Sequence, residues 1–346
     1  VEPETSKPKR RKKPKPSVLV IGGTGFIGRA LTRKLVERGH DVRVLSRGKS
    51  GPFDDISGNV ELFSASLKDP QGLAQAMQGI DAVYHLGKSM DTTWEDCLKN
   101  DVDVTVGIAK AALATKVKTF VYTGTIASYD MADPARVILD GTPLETTMGD
   151  RNLYARSKAE CERRLSELHT SDKLPLVIAR PGIVVGHGGP LQHWGIGRWH
   201  GAGAVRVWGK GENILPFVLI EDTAEALVRM IEVRIAIGDS FNLTGIPMMT
   251  GREYFDAIHQ ELGAKITVKS GNLTAFYLSA CVKYGLKRFV LQQRGHSNPS
   301  RRDWQSRGHF SQFDSSHTQQ ILGWRPESDK RAFIKAAITD ANLLGF

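Results

Sequence analysis

Three cysteines in 346 residues, Cys97, Cys161 and Cys281, are odd in number and far apart, and none sits at a paired metal-ligand spacing. That excludes a disulfide framework and a cysteine zinc site, and the expectation is reduced thiols in a cytoplasmic protein. No uninterrupted apolar run is long enough to cross a bilayer, because the nearest, Leu273 to Leu291, is broken by Lys283, Lys287 and Arg288. This stretch reads either as a packed amphipathic helix or as a membrane-surface contact. A signal peptide is not expected, since the basic start runs into a strand pattern and not into a cleavable apolar core. No internal repeat is visible. A hydrophobic content of 40% against 24% charged residues leaves an ordinary globular chain, long enough for one large core with a smaller lobe beside it.

The formal net charge of +10 is unevenly spread. Residues 1–16, VEPETSKPKRRKKPKP, carry seven basic and two acidic residues, and so hold half of the excess. A Lys/Pro segment of this kind cannot bury apolar surface and is expected to be a disordered or polyproline-like tail. It is a solvated linker or a contact for an acidic surface such as nucleic acid. The chain begins with Val, which leaves open a processed form or a fusion or partner reached through the tail.

Past the tail, β-branched runs alternate with helical periodicity. Ser17–Gly23, Asp41–Leu45, Ala82–Leu86, Thr119–Thr123 and Leu176–Ala179 read as strands. Phe26–Arg38, a short stretch around Leu73–Met77, Asp96–Ala114 and Tyr154–His169 read as helices, the first closed by Gly39. Strands joined by helices must lie parallel with helices on both faces. The expected fold class is therefore α/β, a Rossmann-type doubly wound parallel sheet with a smaller C-terminal substrate lobe. The expected division is a tail at 1–16, a nucleotide-binding core at 17–182 to which 215–245 return, and a substrate lobe from 183–214 and 246–346.

The first strand runs directly into Gly22-Gly23-Thr24-Gly25-Phe26-Ile27-Gly28, where a helix starts. Gly22 permits the tight turn, Gly25 lets a pyrophosphate approach bare backbone, and Gly28 lets the helix pack on the sheet. The helix N-terminus offers free amides and a partial positive charge to the anion. A dinucleotide site is expected here. The second strand ends Leu45-Ser46-Arg47 with no carboxylate to receive a ribose 2′-hydroxyl. Arg47 and Ser46, with Arg29 assisting, suit a 2′-phosphate, which favours NADP over NAD.

Tyr154 and Lys158 open a helix one turn apart on one face. A phenol titrates near pH ~10, and a fixed ammonium beside it would lower that value toward the working range of an acid or base. The lysine is also placed to hold a nicotinamide ribose. The fourth strand ends Thr123-Gly124-Thr125 at the carboxyl edge of the sheet, where Thr125, or alternatively Thr123, would hydrogen-bond the substrate oxygen.

With these residues in place the chain resembles an extended short-chain dehydrogenase/reductase of the epimerase/dehydratase branch, over residues 17 to about 340. GGTGFIG, DAVYHLG (Asp81–Gly87), KTFVYTGT, YARSK, ARPGIVVG (Ala179–Gly186), LPFVLIEDTAEAL (Leu215–Leu227) and ILGWRP (Ile321–Pro326) occur in the family's order. The resemblance implies Thr125, Tyr154 and Lys158 as the catalytic trio, with Tyr154 exchanging the proton as hydride moves. It also implies Ser66 and Leu67 near the adenine, and Leu86, Gly87, Pro181, Gly182 and Ile183 near the ribose and nicotinamide. Two positions depart from the family: Ser66 stands where Asp is usual, and Asp101 where Asn is. Ile126-Ala127 follow the catalytic threonine where the family's dehydratases carry an acid pair. Epimerisation or simple carbonyl reduction is therefore ranked above dehydration.

On the substrate side, His193–Glu212 reads as a lid or an irregular loop carrying Arg198, Arg206 and Lys210. Arg288, Arg294, Arg301, Arg302 and Arg307 lie where acids are few. Arg198 and Arg302 are the substrate-binding candidates, for a nucleotide-sugar diphosphate or similar polar carbonyl or alcohol. The alternatives are a hydroxysteroid- or lipid-type dehydrogenase of the same fold, or a non-catalytic dinucleotide-binding scaffold that uses the tail. The oligomeric state is open, a homodimer being one assembly the sequence allows.

Overall fold

The computed structural model describes residues 15–46, 52–56, 60–201, 203–292 and 298–343. Arg47 and Arg294, and nearly all of the basic tail, lie outside the described residues.

Strand β1 (Val18–Ile21) shows why the sheet is central, for all four of its side chains are buried. Val18 and Val20 point into one apolar cluster with Leu31 and Leu35, whereas Leu19 and Ile21 point into another with Leu73, Ile108 and Leu165. A strand that is apolar on both faces needs helices on both sides, and it has them. Helix α1 (Phe26–Glu37) buries Gly28, Leu31, Thr32 and Leu35 and ends at Arg38, followed by Gly39 at φ +77°. A left-handed residue just past a helix end is a position that glycine fills at little cost.

The chain then runs through β2 (Val42–Ser46), β3 (Val60–Ser64), α2 (Pro70–Ala76) and β4 (Ala82–His85). It continues through α3 (Trp94–Cys97), a π-helical turn (Leu98–Val102), α4 (Asp103–Ala114), β5 (Thr119–Thr123), a short β6 (Val137–Ile138), α5 (Leu153–Asp172) and β7 (Leu176–Pro181). After β8 (Ile183–Val185), β9 (Gly197–Trp199), β10 (Ala204–Trp208), β11 (Phe217–Leu219) and α6 (Ile220–Glu232), strand β12 (Ser240–Leu243) returns to the main sheet. That sheet has seven strands in the order β12-β7-β5-β4-β1-β2-β3, every neighbouring pair parallel. The order reverses between β1 and β4, and ligands of open α/β sheets bind at the carboxyl end of such a switch point. The chain has the expected doubly wound α/β fold.

β3 was not among the strands expected from the sequence. It forms the sheet's edge and is only half-buried, so its short VELFS run carries little periodic signal. His193–Glu212, read as a lid or irregular loop, instead supplies β9 and β10, which pair antiparallel, and β10 pairs parallel with β13 (Thr267–Gly271). Helix α7 (Gly251–Leu262), opened by a Thr250–Glu253 capping box, packs Tyr254, Phe255 and Ile258 with Val205 and Val207 in a third apolar cluster. Helix α8 (Leu273–Gly285) continues into a π-helical turn (Leu286–Val290) and is followed by α9 (Arg301–Ser306). Near the end of the chain, fully buried Trp324 donates from its indole to the Asp222 carbonyl at 2.9 Å, which ties the C-terminal segment to α6. No helix among the described residues is long and apolar enough to cross a membrane.

Candidate active site

A cleft of about 950 Å³ opens at the carboxyl ends of β1, β2 and β4. Its lining includes Gly22, Thr24, Ser46, Ser66, Leu67 and Gly87 of the residues expected from the sequence, together with His85, Lys88, Ser89, Asn100 and Asp101. Gly25, Phe26, Ile27 and Gly28 form the adjoining turn and the start of α1, and the Gly25 N-cap contributes no side-chain hydrogen bond to that end. The first-turn amides are thus left for an external acceptor. Arg29 is not among the residues lining the cleft, and a Cβ on Gly188 would stand 3.6 Å from its Nη2.

The cleft fits a dinucleotide on the chemistry of its wall. Gly22 holds φ +85°, and a Cβ on Gly28 would stand 2.2 Å from the Gly22 carbonyl oxygen, so the turn and the helix approach as only glycine allows. Buried His85 hydrogen-bonds Thr105 Oγ1 through Nε2 at 2.9 Å, while its Nδ1 has no hydrogen-bond partner among the described residues. Burial and the nearby Lys158 ammonium depress its pKa to about 3, so it is a neutral ring. Leu86, Pro181, Gly182 and Ile183 lie at the sheet's carboxyl rim. There the Leu86, Gly182 and Ile183 amides already donate to the carbonyls of Ile21, Leu243 and Pro216.

Tyr154, Thr125 and Lys158 do not line this cleft but lie next to it, Tyr154 under Lys88 and Lys158 near His85, both of which do line it. The α5 N-terminus is fixed first: Asn152 caps it by accepting from the Ala155 amide at 3.0 Å. Asp303, arriving on α9, accepts from both the Asn152 amide (3.0 Å) and the Asn152 side chain (2.7 Å). The same carboxylate pairs with buried Arg151 at 3.3 Å and with Arg307 at 2.8 Å. Two residues past the Asn152 cap, the Tyr154 ring packs under the Lys88 ammonium, 4.5 Å from its centroid. Tyr154 is 38% exposed as a residue, and its hydroxyl is hydrogen-bonded to Thr125. Desolvation of that hydroxyl raises the phenol's pKa above its usual value, the Thr125 hydrogen bond opposes the rise, and the Asp101 carboxylate adds to it. Thr125 Oγ1 also accepts from the Ala127 amide at 3.1 Å.

Lys158 is buried, donates to the Thr123 carbonyl at 2.8 Å and lies 4.9 Å from the Tyr122 ring centroid. Burial lowers its pKa, against which Cys161 and Asp101 act. The ammonium is therefore directed at the strand end and does not figure among the groups that shift the phenol. Thr123 Oγ1 is buried without a hydrogen-bond partner among the described residues.

Sequence reasoning noted Asp101 only as a departure. In the structure it lies in the π-helical turn, buried, accepting from the Ser89 amide at 2.5 Å and from Ser157 Oγ at 2.8 Å. It thereby joins the cleft wall to the face of α5 that carries Tyr154 and Lys158. Arg151 and Lys88 were missed, and the part Asp303 plays in holding α5 was not foreseen, since no local pattern marks them. Beside the start of α5 a second hollow of about 510 Å³ is lined by Asn152, Leu153, Lys283, Tyr284, Lys287 and Arg307, among others. Arg302 does not line it and instead pairs with Asp130 at 2.7 Å and Glu145 at 2.9 Å. Arg198 lies in β9, opposite Arg206, and both line a separate surface pocket beside α8.

A family model described as the NAD dependent epimerase/dehydratase family matches residues 18–244, and the chain belongs to that family. It is an NAD-dependent enzyme. Among relatives, the protein y4nG of Sinorhizobium fredii is 28% identical over 324 residues, covering 90% of this chain and 74% of its own. The UDP-N-acetyl-alpha-D-glucosaminuronate decarboxylase of Bacillus cytotoxicus is 26% identical over 265 residues, 70% of this chain and 79% of its own. Among solved structures, gox2253 superposes with a TM-score of 0.76 at 25% identity, covering 94% of this chain and 97% of its own.

Proposed function

We propose that this chain reduces or epimerises a carbonyl or alcohol carbon on a nucleotide sugar, with Tyr154 exchanging the proton. The observation that carries this reading is the Tyr154 hydroxyl hydrogen-bonded to Thr125 beside the dinucleotide cleft, its ring under the cleft residue Lys88, with Lys158 one helical turn away. When bound, the nicotinamide supplies the hydride acceptor or donor. Gly22, Thr24 and Gly25, with the first-turn amides of α1, would hold its diphosphate. Ser66 and Leu67 would lie at the adenine, Leu86, Gly87 and Pro181–Ile183 at the nicotinamide end, and Lys158 at the nicotinamide ribose. Thr125 fixes the substrate oxygen against the phenol. With its pKa raised, that phenol is protonated at neutral pH and so is ready as the acid of a reduction.

The core at 17–182 carries the nucleotide in this reading, and the substrate sits against the lobe of 183–214 and 246–346. The hollow beside α5 offers Lys283 and Lys287 to a diphosphate. NADP is the preferred cofactor, on the strength of Ser46 and Arg47 standing where a carboxylate would select NAD. The test is titration of the purified protein with NADPH and with NADH, then an absorbance screen of nucleotide sugars and simple ketones. Tighter binding of NADPH and turnover of a nucleotide sugar are expected. Failure of both cofactors to bind would remove the reading.

Asp101→Asn probes the same proton. Asparagine can keep both hydrogen bonds while removing a negative charge that disfavours phenolate. The phenol's pKa then falls. Because the acid form is lost as pH rises through that pKa, the alkaline limb of kcat for reduction should move to lower pH. An unmoved limb would show that the carboxylate does not act on Tyr154.

A further inference from the structure

Helix α8 and the π-helical turn that follows it bury little besides Phe276. Leu278, Val282, Leu286, Phe289, Val290 and Leu291 are instead 52–76% exposed. The first four recur three or four residues apart and so form one stripe along the helix. Soluble proteins seldom leave a contiguous apolar strip of this kind facing water.

The charge around the stripe is of one sign. Between Glu261 and Asp303 the sequence has no acidic residue at all. Exposed Arg288 flanks the C-terminal end of the stripe. At the other end Arg198 and Arg206, opposite each other on β9 and β10, line the pocket formed with Ala275 and Ser279 of α8, and neither makes an ion pair among the described residues. A second copy docking stripe to stripe about a two-fold axis would bring these cations against their own equivalents. An anionic bilayer meets both features, since its acyl region takes the apolar side chains and its phosphates take the cations, with no shape match required.

We propose that the α8 stripe, from Leu278 to Leu291, is a docking surface for an anionic lipid bilayer, on which the protein lies peripherally. The other face of α8 supplies Ala280, Lys283, Tyr284 and Lys287 to the hollow beside α5, so docking would hold that hollow next to the lipid surface. The docking claim does not depend on the substrate assigned above.

The test is co-sedimentation of the full chain with phosphatidylcholine vesicles, with and without about 30% phosphatidylglycerol. Binding is expected only to the anionic vesicles, and Leu286→Glu/Phe289→Glu should weaken it at least ~10-fold while nicotinamide-cofactor titration stays unchanged. The basic tail by itself would bind anionic vesicles too, so equal binding by the double variant would overturn the proposal. Phe289→Trp gives a second reading: its emission, taken as the difference from wild type, should shift to the blue on anionic vesicles. No shift, no vesicle binding by the wild type, or a wild-type dimer in gel filtration that the double variant abolishes would each refute lipid docking.

Discussion

Tyr154→Phe is expected to lower turnover by about three orders of magnitude while leaving the affinity for the nicotinamide cofactor within about threefold of wild type. The substitution removes one oxygen and keeps the ring. The ring's packing under Lys88 is retained, and so is the start of α5, because Asn152 and Asp303 fix it through main-chain and side-chain bonds that do not involve the phenol. Neither the diphosphate turn nor the adenine end of the cleft includes Tyr154 in its lining. What disappears is the proton that must reach the substrate oxygen as hydride arrives. The measurement pairs steady-state turnover on an active substrate with equilibrium titration of the cofactor. A phenylalanine variant keeping more than about a tenth of wild-type turnover would require another acid, since general acid catalysis by one side chain is worth about 10²–10⁴-fold.

How much of this was legible in the sequence follows the range of each interaction. The diphosphate turn is a local matter, with three glycines spaced to suit one strand, one turn and one helix, and Gly22 and Gly28 take up the roles their spacing predicted. Tyr154 and Lys158 share a helical face for an equally local reason. What they do to each other was not legible. The lysine was expected to act on the phenol, yet in the structure its ammonium is directed to the Thr123 carbonyl and desolvation governs the tyrosine. The support of α5 by Asp303 spans 151 residues of sequence, a contact no periodicity encodes. Arg302 was read as a substrate cation because acids are few nearby in sequence, but its partners Asp130 and Glu145 come from loops more than 150 residues away. Charge counted along a chain ignores such partners. The strands of 197–208 escaped notice because Gly197, Gly201 and Gly203 interrupt the alternation that marks a strand.

The stability of the site rests on a buried charge pair behind it, and breaking that pair should have the second large effect. Arg180, on β7, donates to Glu162 on α5 through Nε at 2.9 Å and Nη2 at 2.8 Å, with both side chains nearly inaccessible. Its remaining donors reach the Tyr129 hydroxyl (2.6 Å), Ser240 Oγ (3.1 Å) and the Asp140 carbonyl (3.3 Å). These acceptors solvate the guanidinium but carry no compensating charge. The pair sits directly beneath the strand end that bears Thr125: a Cβ on Gly124 would lie 2.0 Å from Glu162 Oε1. Glu162→Leu leaves the guanidinium buried and uncompensated, and an expected loss of about 3–5 kcal/mol follows. A domain of ordinary stability holds only about 5–15 kcal/mol in all, so the urea midpoint should fall markedly. Adding Arg180→Met removes the stranded charge. The double variant should therefore recover at least half of that loss, because two apolar side chains of similar size replace a pair whose desolvation cost nearly matches its attraction. The comparison is a double-mutant cycle by urea denaturation. If the double variant lost the sum of the two single effects, the two residues would be energetically independent, and the strand end carrying Thr125 would owe its position to other contacts.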